Sequence, residues 1–117
     1  MTYTPGLHIL ATIETPRKDL LQRYASWEAF MEEEVQGAGL TQVGKVVHDF
    51  PGGGFTAVLC LTESHISIHT WPEYGLCTCD VFLSNFRKNN DVITQYIMQR
   101  ILQFFESTKH ELQSVRR

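Results

Sequence analysis

The chain has 117 residues, 43% apolar and 20% charged, with a net charge of −3. That length supports one domain, residues 1–117, around a modest core, and the slight acidity gives no reason to expect nucleic acid or an anionic membrane as partner. No run of about 18 apolar residues marks a membrane span, and three cysteines without a signal-peptide pattern favour free thiols in a reducing cytoplasm.

Leu7 to Ile13 reads as a first strand, apolar and partly β-branched between Pro5-Gly6 and Thr15-Pro16. His8 within it reads as a packed histidine rather than a catalytic one. Asp19 to Ala38 reads as a helix, with Leu20, Tyr24, Trp27, Met31 and Val35 on one face. Gly37 and Gly39 are its stop signals. Glu32-Glu33-Glu34 reads as the solvated side, because three consecutive helical residues point in different directions.

Gln42 to Phe50 and Phe55 to Thr62 read as strands joined by the loop Pro51-Gly52-Gly53-Gly54. That loop matches neither the dinucleotide fingerprint nor the P-loop spacing. His65 to Trp71 and Leu76 to Ser84 read as two further strands around the turn at Tyr74-Gly75. Asp91 to Lys109 reads as a second helix, capped by Asn89-Asn90-Asp91 and striped by Ile93, Ile97, Ile101 and Phe104. The polar tail after Glu111 reads as frayed. Two helices and about five strands predict an α+β two-layer sandwich: a mostly antiparallel sheet with both helices on one face. The other face then needs a partner.

The densest chemistry lies in Leu61–Glu73, where Glu63, Ser64, His65, Ser67, His69, Thr70 and Glu73 interleave with Ile66, Ile68 and Trp71. A serine hydroxyl can attack the carbonyl before it and turn the peptide bond into an ester. Elimination and hydrolysis then split the chain and leave a pyruvoyl group, which can form a Schiff base with an amine and accept electrons, as pyridoxal phosphate does. The reaction needs a strained peptide, a base and a donor for the developing oxyanion. His65, Ser67 and His69 are candidates by type, although an ordinary strand serine fits the same residues. A metal pair at His65 and His69 is not expected. On a strand they lie about 13 Å apart at ~3.3 Å per residue. Cys77-x-Cys79 lacks the usual zinc spacing.

Residues 63–75, Glu-Ser-His-Ile-Ser-Ile-His-Thr-Trp-Pro-Glu-Tyr-Gly, closely resemble the processing motif of the bacterial and archaeal S-adenosylmethionine decarboxylases, and a looser likeness runs from Gly6-Leu7-His8 to about Phe82. The resemblance implies self-cleavage between Glu63 and Ser64, with Ser64 becoming a pyruvoyl cofactor and neither pyridoxal phosphate nor a metal in the site. It implies His69 as the base of the eliminative step and Thr56 as an aid to processing. Phe50 would stack on the adenine of the substrate, and Glu73 would bind its ribose hydroxyls. It further implies a homodimer, in which Ser64 and Ser84 of one protomer meet Phe50, Thr56, His69 and Glu73 of the other.

One departure stands out. The family's Asp-Val-Phe-Thr-Cys-Gly reads Asp80-Val81-Phe82-Leu83-Ser84-Asn85 here, so the proton-donating cysteine is Ser84. A hydroxyl is a far weaker acid than a thiol of reference pKa about 8.5. Cys77 and Cys79 alternate out of phase with Ser84 and should face away from it. The expected activity is decarboxylation of S-adenosylmethionine, supplying the aminopropyl donor for spermidine synthesis. Two alternatives are a pyruvoyl-dependent decarboxylase of ornithine or arginine, and a non-catalytic homologue acting as a binding or partner subunit.

Overall fold

The computed structural model describes residues 2–117. Six strands are present: β1 Leu7–Glu14, β2 Gln42–Asp49, β3 Phe55–Leu61, β4 Ser64–Trp71, β5 Leu76–Leu83 and β6 Lys109–Arg116. They form one sheet in the order β2-β3-β4-β5-β1-β6, and every pairing is antiparallel. Three helices, α1 Lys18–Gln22, α2 Tyr24–Gly37 and α3 Asp91–Phe104, complete an α+β fold.

Strand alternation divides the sheet. Ile9, Ala11 and Ile13 of β1, Phe55, Ala57 and Leu59 of β3, Ile66 and Ile68 of β4, and Cys77, Cys79 and Val81 of β5 are buried with Trp27, Met31, Ile97, Ile101 and Phe105 in a single core. Residues of the opposite phase, His8 excepted, stay half-exposed or exposed, among them Leu10, Thr56, Val58, Ser67, His69, Thr78 and Asp80. The helices therefore cover one face and leave the other open, as expected.

Three details differ from the expectation. The helix predicted over 19–38 is broken at Arg23, whose backbone is extended (φ −140°, ψ 150°). The break is stabilised from outside the segment. The Asp49 carboxylate at the end of β2 accepts from the Tyr24 N–H at 2.9 Å, and Arg23 donates to the Phe50 carbonyl at 2.8 Å. Gly54 of the glycine loop donates its N–H to the Gln22 carbonyl at 3.0 Å, so that loop seats α1.

The helix predicted over 91–109 stops at Phe104. Ser107 N–H bonds the Leu102 carbonyl and Glu106 N–H the Gln103 carbonyl, both at 3.0 Å, with Glu106 left-handed at φ 50°. This is a Schellman ending, in which the left-handed position usually falls to glycine. Here a glutamate holds it, so the sequence carries no stop signal. At the helix N-terminus Asn89 is the capping side chain of the expected Asn89-Asn90-Asp91 run: its Oδ1 accepts from the Asp91 N–H at 2.8 Å, while the Asn90 side chain turns to the Ser84 carbonyl.

The tail expected to fray is the edge strand β6, paired along β1 from Leu7↔Arg116 to Glu14↔Lys109. All eight of its residues are exposed. Backbone hydrogen bonds hold it without an apolar face, so it lacks the hydrophobic alternation by which strands are recognised.

Candidate active site

The turn between β3 and β4 consists of Thr62 and Glu63, since Leu61 pairs with Ser64. It is tied down by Thr41. Thr62 N–H donates to the Thr41 carbonyl at 2.9 Å, and Glu63 Oε1 accepts from the Thr41 N–H at 3.3 Å. Ser64 leaves the turn at φ 145°, a positive value that side-chain-bearing residues rarely adopt. Such conformations cost on the order of 1–3 kcal/mol and persist only where surrounding contacts enforce them.

The Glu63 carbonyl, which a Ser64 hydroxyl would attack, accepts a 2.7 Å hydrogen bond from the Ser84 N–H. An asparagine network holds that donor. Asn90 Nδ2 donates to the Ser84 carbonyl at 2.8 Å, Asn85 Oδ1 accepts from the Asn90 N–H at 2.7 Å, and Asn85 Nδ2 donates to Asp91 at 3.0 Å. Asn85 and Asn90 are buried. Glu63, Ser84, Phe86, Arg87 and Asn90 line a cleft of about 590 Å³ beside the turn. The sequence pointed to Ser84 only through its side chain. The role open to its main chain depends on the β5–α3 loop meeting the β3–β4 turn, which residue identity does not encode.

A second group lies at the opposite end of β4. Thr56 and His69 are paired across β3 and β4, and Thr56 Oγ1 contacts His69 Nδ1 at 2.5 Å. Phe50 is exposed and packs edge-on against His48, with ring centroids 4.8 Å apart. Glu73 is exposed in the single 3-10 turn Pro72–Tyr74 that follows β4. His69 lies five positions after Ser64, about 17 Å along the strand at ~3.3 Å per residue. Within one chain the expected site residues thus form two groups, Glu63-Ser64-Ser84 and Phe50-Thr56-His69-Glu73, which do not meet.

His65 and Ser67 are occupied elsewhere. His65 Nε2 lies 3.2 Å from Asp80 Oδ2, and Ser67 donates to Asp80 Oδ1. His8 Nε2 reaches the same Oδ2 at 2.7 Å. Burial acts to raise the Asp80 carboxyl, but the hydrogen bonds from Ser67, His8 and His65 outweigh it and hold the group below its ordinary value. His8 is buried, as expected, yet it is polar-paired rather than merely packed.

Cys77 and Cys79 lie on the helix-covered face, as alternation predicts. Burial pushes the Cys77 thiol up to about 12 and holds that of Cys79 well above its usual range. Cys60 is exposed. An aromatic disulfide reagent should therefore titrate one thiol rapidly in the native protein, and all three after denaturation. Rapid labelling of more than one native thiol would contradict this burial.

Three comparisons bear on the site. The sequence profile described as S-adenosylmethionine decarboxylase matches residues 7–117. The S-adenosylmethionine decarboxylase proenzyme of Aquifex aeolicus is 40% identical over 106 residues, covering 86% of this chain and 78% of the relative. That of Archaeoglobus fulgidus is 42% identical over 77 residues, 66% of this chain and 69% of the relative. The crystal structure of the Aquifex aeolicus adenosylmethionine decarboxylase superimposes with a TM-score of 0.86 at 33% identity, covering 99% of this chain and 92% of the other.

Proposed function

Because this chain belongs to the S-adenosylmethionine decarboxylase family, we propose that it cleaves itself between Glu63 and Ser64 and then decarboxylates S-adenosylmethionine. One observation carries the reading: the Glu63 carbonyl is joined to a Ser64 of positive φ and accepts a 2.7 Å hydrogen bond from the Ser84 N–H. Attack by the Ser64 hydroxyl puts negative charge on the Glu63 oxygen. A donor already aimed at that oxygen stabilises the charge without reorganisation. The collapse of this intermediate turns the amide into an ester and relieves the strained backbone at Ser64. Removal of the Ser64 α-proton then expels the Glu63 carboxylate. Hydrolysis of the remaining enamine releases ammonia and leaves a pyruvoyl terminus.

A pyruvoyl carbonyl supplies an electron sink for an amine substrate as carbon dioxide departs. The chain's own residues would hold that substrate. Phe50 offers an exposed ring for adenine, and Glu73 an exposed carboxylate that can accept from two ribose hydroxyls. His69, kept oriented by Thr56, is the base for the α-proton. The ~17 Å between Ser64 and His69 along β4 favours a site completed by a second copy of the chain, since no single protomer brings the two together. The open sheet face, carrying exposed Leu10, Val46 and Val58, is the surface free to meet that copy.

The test has two readings. A denaturing mass spectrum of freshly purified protein should give fragments 1–63 and 64–117, the second lighter by one ammonia than its serine form. Carboxyl-labelled S-adenosylmethionine should then release carbon dioxide faster than labelled ornithine or arginine does. A cleaved protein that turns over ornithine or arginine instead would overturn the substrate. A chain that stays whole would overturn the enzyme and leave a binding subunit.

A further inference from the structure

We infer that the open face of the sheet carries a binding site for a late first-row divalent metal ion such as zinc, formed by His8, His65 and Asp80. The inference does not depend on the proposed activity. The three residues come from adjacent strands β1, β4 and β5, and one ligating atom of each lies within 4.8 Å of the others. Register explains the convergence. His8 and His65 both pair with Phe82, from opposite sides of β5. Asp80 is two residues away on the same face, so both imidazoles reach it diagonally.

The distances are close to what an ion needs. His8 Nε2 and His65 Nε2 lie 2.7 and 3.2 Å from Asp80 Oδ2. Ligand atoms about 2.0–2.1 Å from a tetrahedral zinc lie about 3.3 Å from one another, so small side-chain rotations admit the ion. Nitrogen ligands together with one carboxylate favour zinc, cobalt or nickel over magnesium or calcium. The surroundings also resemble the outer shell of a metal site. Ser67 donates to Asp80 Oδ1, leaving Oδ2 as the ligating oxygen, which is how metal-bound carboxylates are commonly held. Phe82 stacks on the His8 ring at 5.0 Å and lies edge-on to His65 at 5.9 Å, walling the site on one side. Within one chain His65 and Asp80 keep partial exposure, which leaves room for a water in the fourth position. A metal here ties β4 to β5 and β1 one residue after Ser64.

Isothermal titration of zinc sulfate into chelator-treated full-length protein tests the site, together with the visible spectrum of the cobalt(II) form. The expected result is one ion per chain and a tetrahedral cobalt spectrum. His65→Gln and Asp80→Asn, at partly exposed positions, should each weaken binding about tenfold or more. His110→Gln, an exposed histidine on β6, should bind as the parent does. Absence of saturable binding by the parent protein overturns the site. Parent-like affinity in both His65→Gln and Asp80→Asn does the same, as does an equal loss in His110→Gln. Far-UV circular dichroism checks the fold of each variant, and the parent cobalt spectrum decides the matter even if a variant fails to fold.

Discussion

Ser64→Ala leaves one intact chain of 117 residues under conditions that cleave the parent, because the methyl group has no oxygen with which to attack Glu63. The effect is all-or-none: no other nucleophile occupies the first position of β4. The fold should survive, since the pairing of Ser64 with Leu61 and Leu83 is made by the backbone. His69→Ala should also block cleavage, through loss of the base. The two defects lie at opposite ends of the same strand, so they can be separated. Co-expressed, the Ser64→Ala and His69→Ala chains should form mixed pairs in which Ser64 of one chain meets His69 of the other. The His69→Ala chain would then be cleaved while the Ser64→Ala chain stays whole. Failure of both chains to cleave in the mixture would sink the shared site. A cleaved Ser64→Ala chain would sink the processing serine itself.

Ser84→Cys should raise turnover roughly 10-fold or more, within the contribution that a positioned general acid makes. Ser84 presents two separate groups. Its main-chain N–H bonds the Glu63 carbonyl and is untouched by a change of side chain. On the proposed reading its hydroxyl takes the place of a proton-donating thiol, and a thiol is the stronger acid by several pKa units. Cleavage should therefore proceed at a similar rate in the parent and in Ser84→Cys, while the carbon left by carbon dioxide is protonated faster in the variant. Slow or misplaced protonation transfers the amine to the pyruvoyl terminus and leaves an N-terminal alanine. Mass spectra of fragment 64–117 during turnover should show that product accumulating sooner in the parent. Buried Cys77 and Cys79 offer no substitute, because both lie on the helix-covered face and burial makes their thiols weaker acids. Equal turnover and equal inactivation in the two proteins would remove Ser84 from the proton path.

The sequence made most of the strands legible. Phe55 to Leu61 and Leu76 to Leu83 alternate cleanly between buried positions and partly or fully exposed ones, and the strands begin and end within a residue or so of expectation. The errors have a common origin. The break at Arg23 depends on Asp49, the end of α3 on a left-handed glutamate, and β6 on a backbone edge offered by β1. Each is an interaction with a distant segment or a backbone angle, and neither is written in the local pattern of apolar residues.

The same division governs function. Thirteen residues, 63–75, were enough to point to the family, because their unusual run of polar and apolar types is local in the chain. Tertiary structure alone decided two further things. It aimed the Ser84 N–H at the Glu63 carbonyl, and it gathered His8, His65 and Asp80 at one point. The physical reason is register. Local sequence fixes which face of a strand a side chain takes, but the partners it meets depend on how strands and loops distant in the chain are paired, and that is a property of the whole sheet.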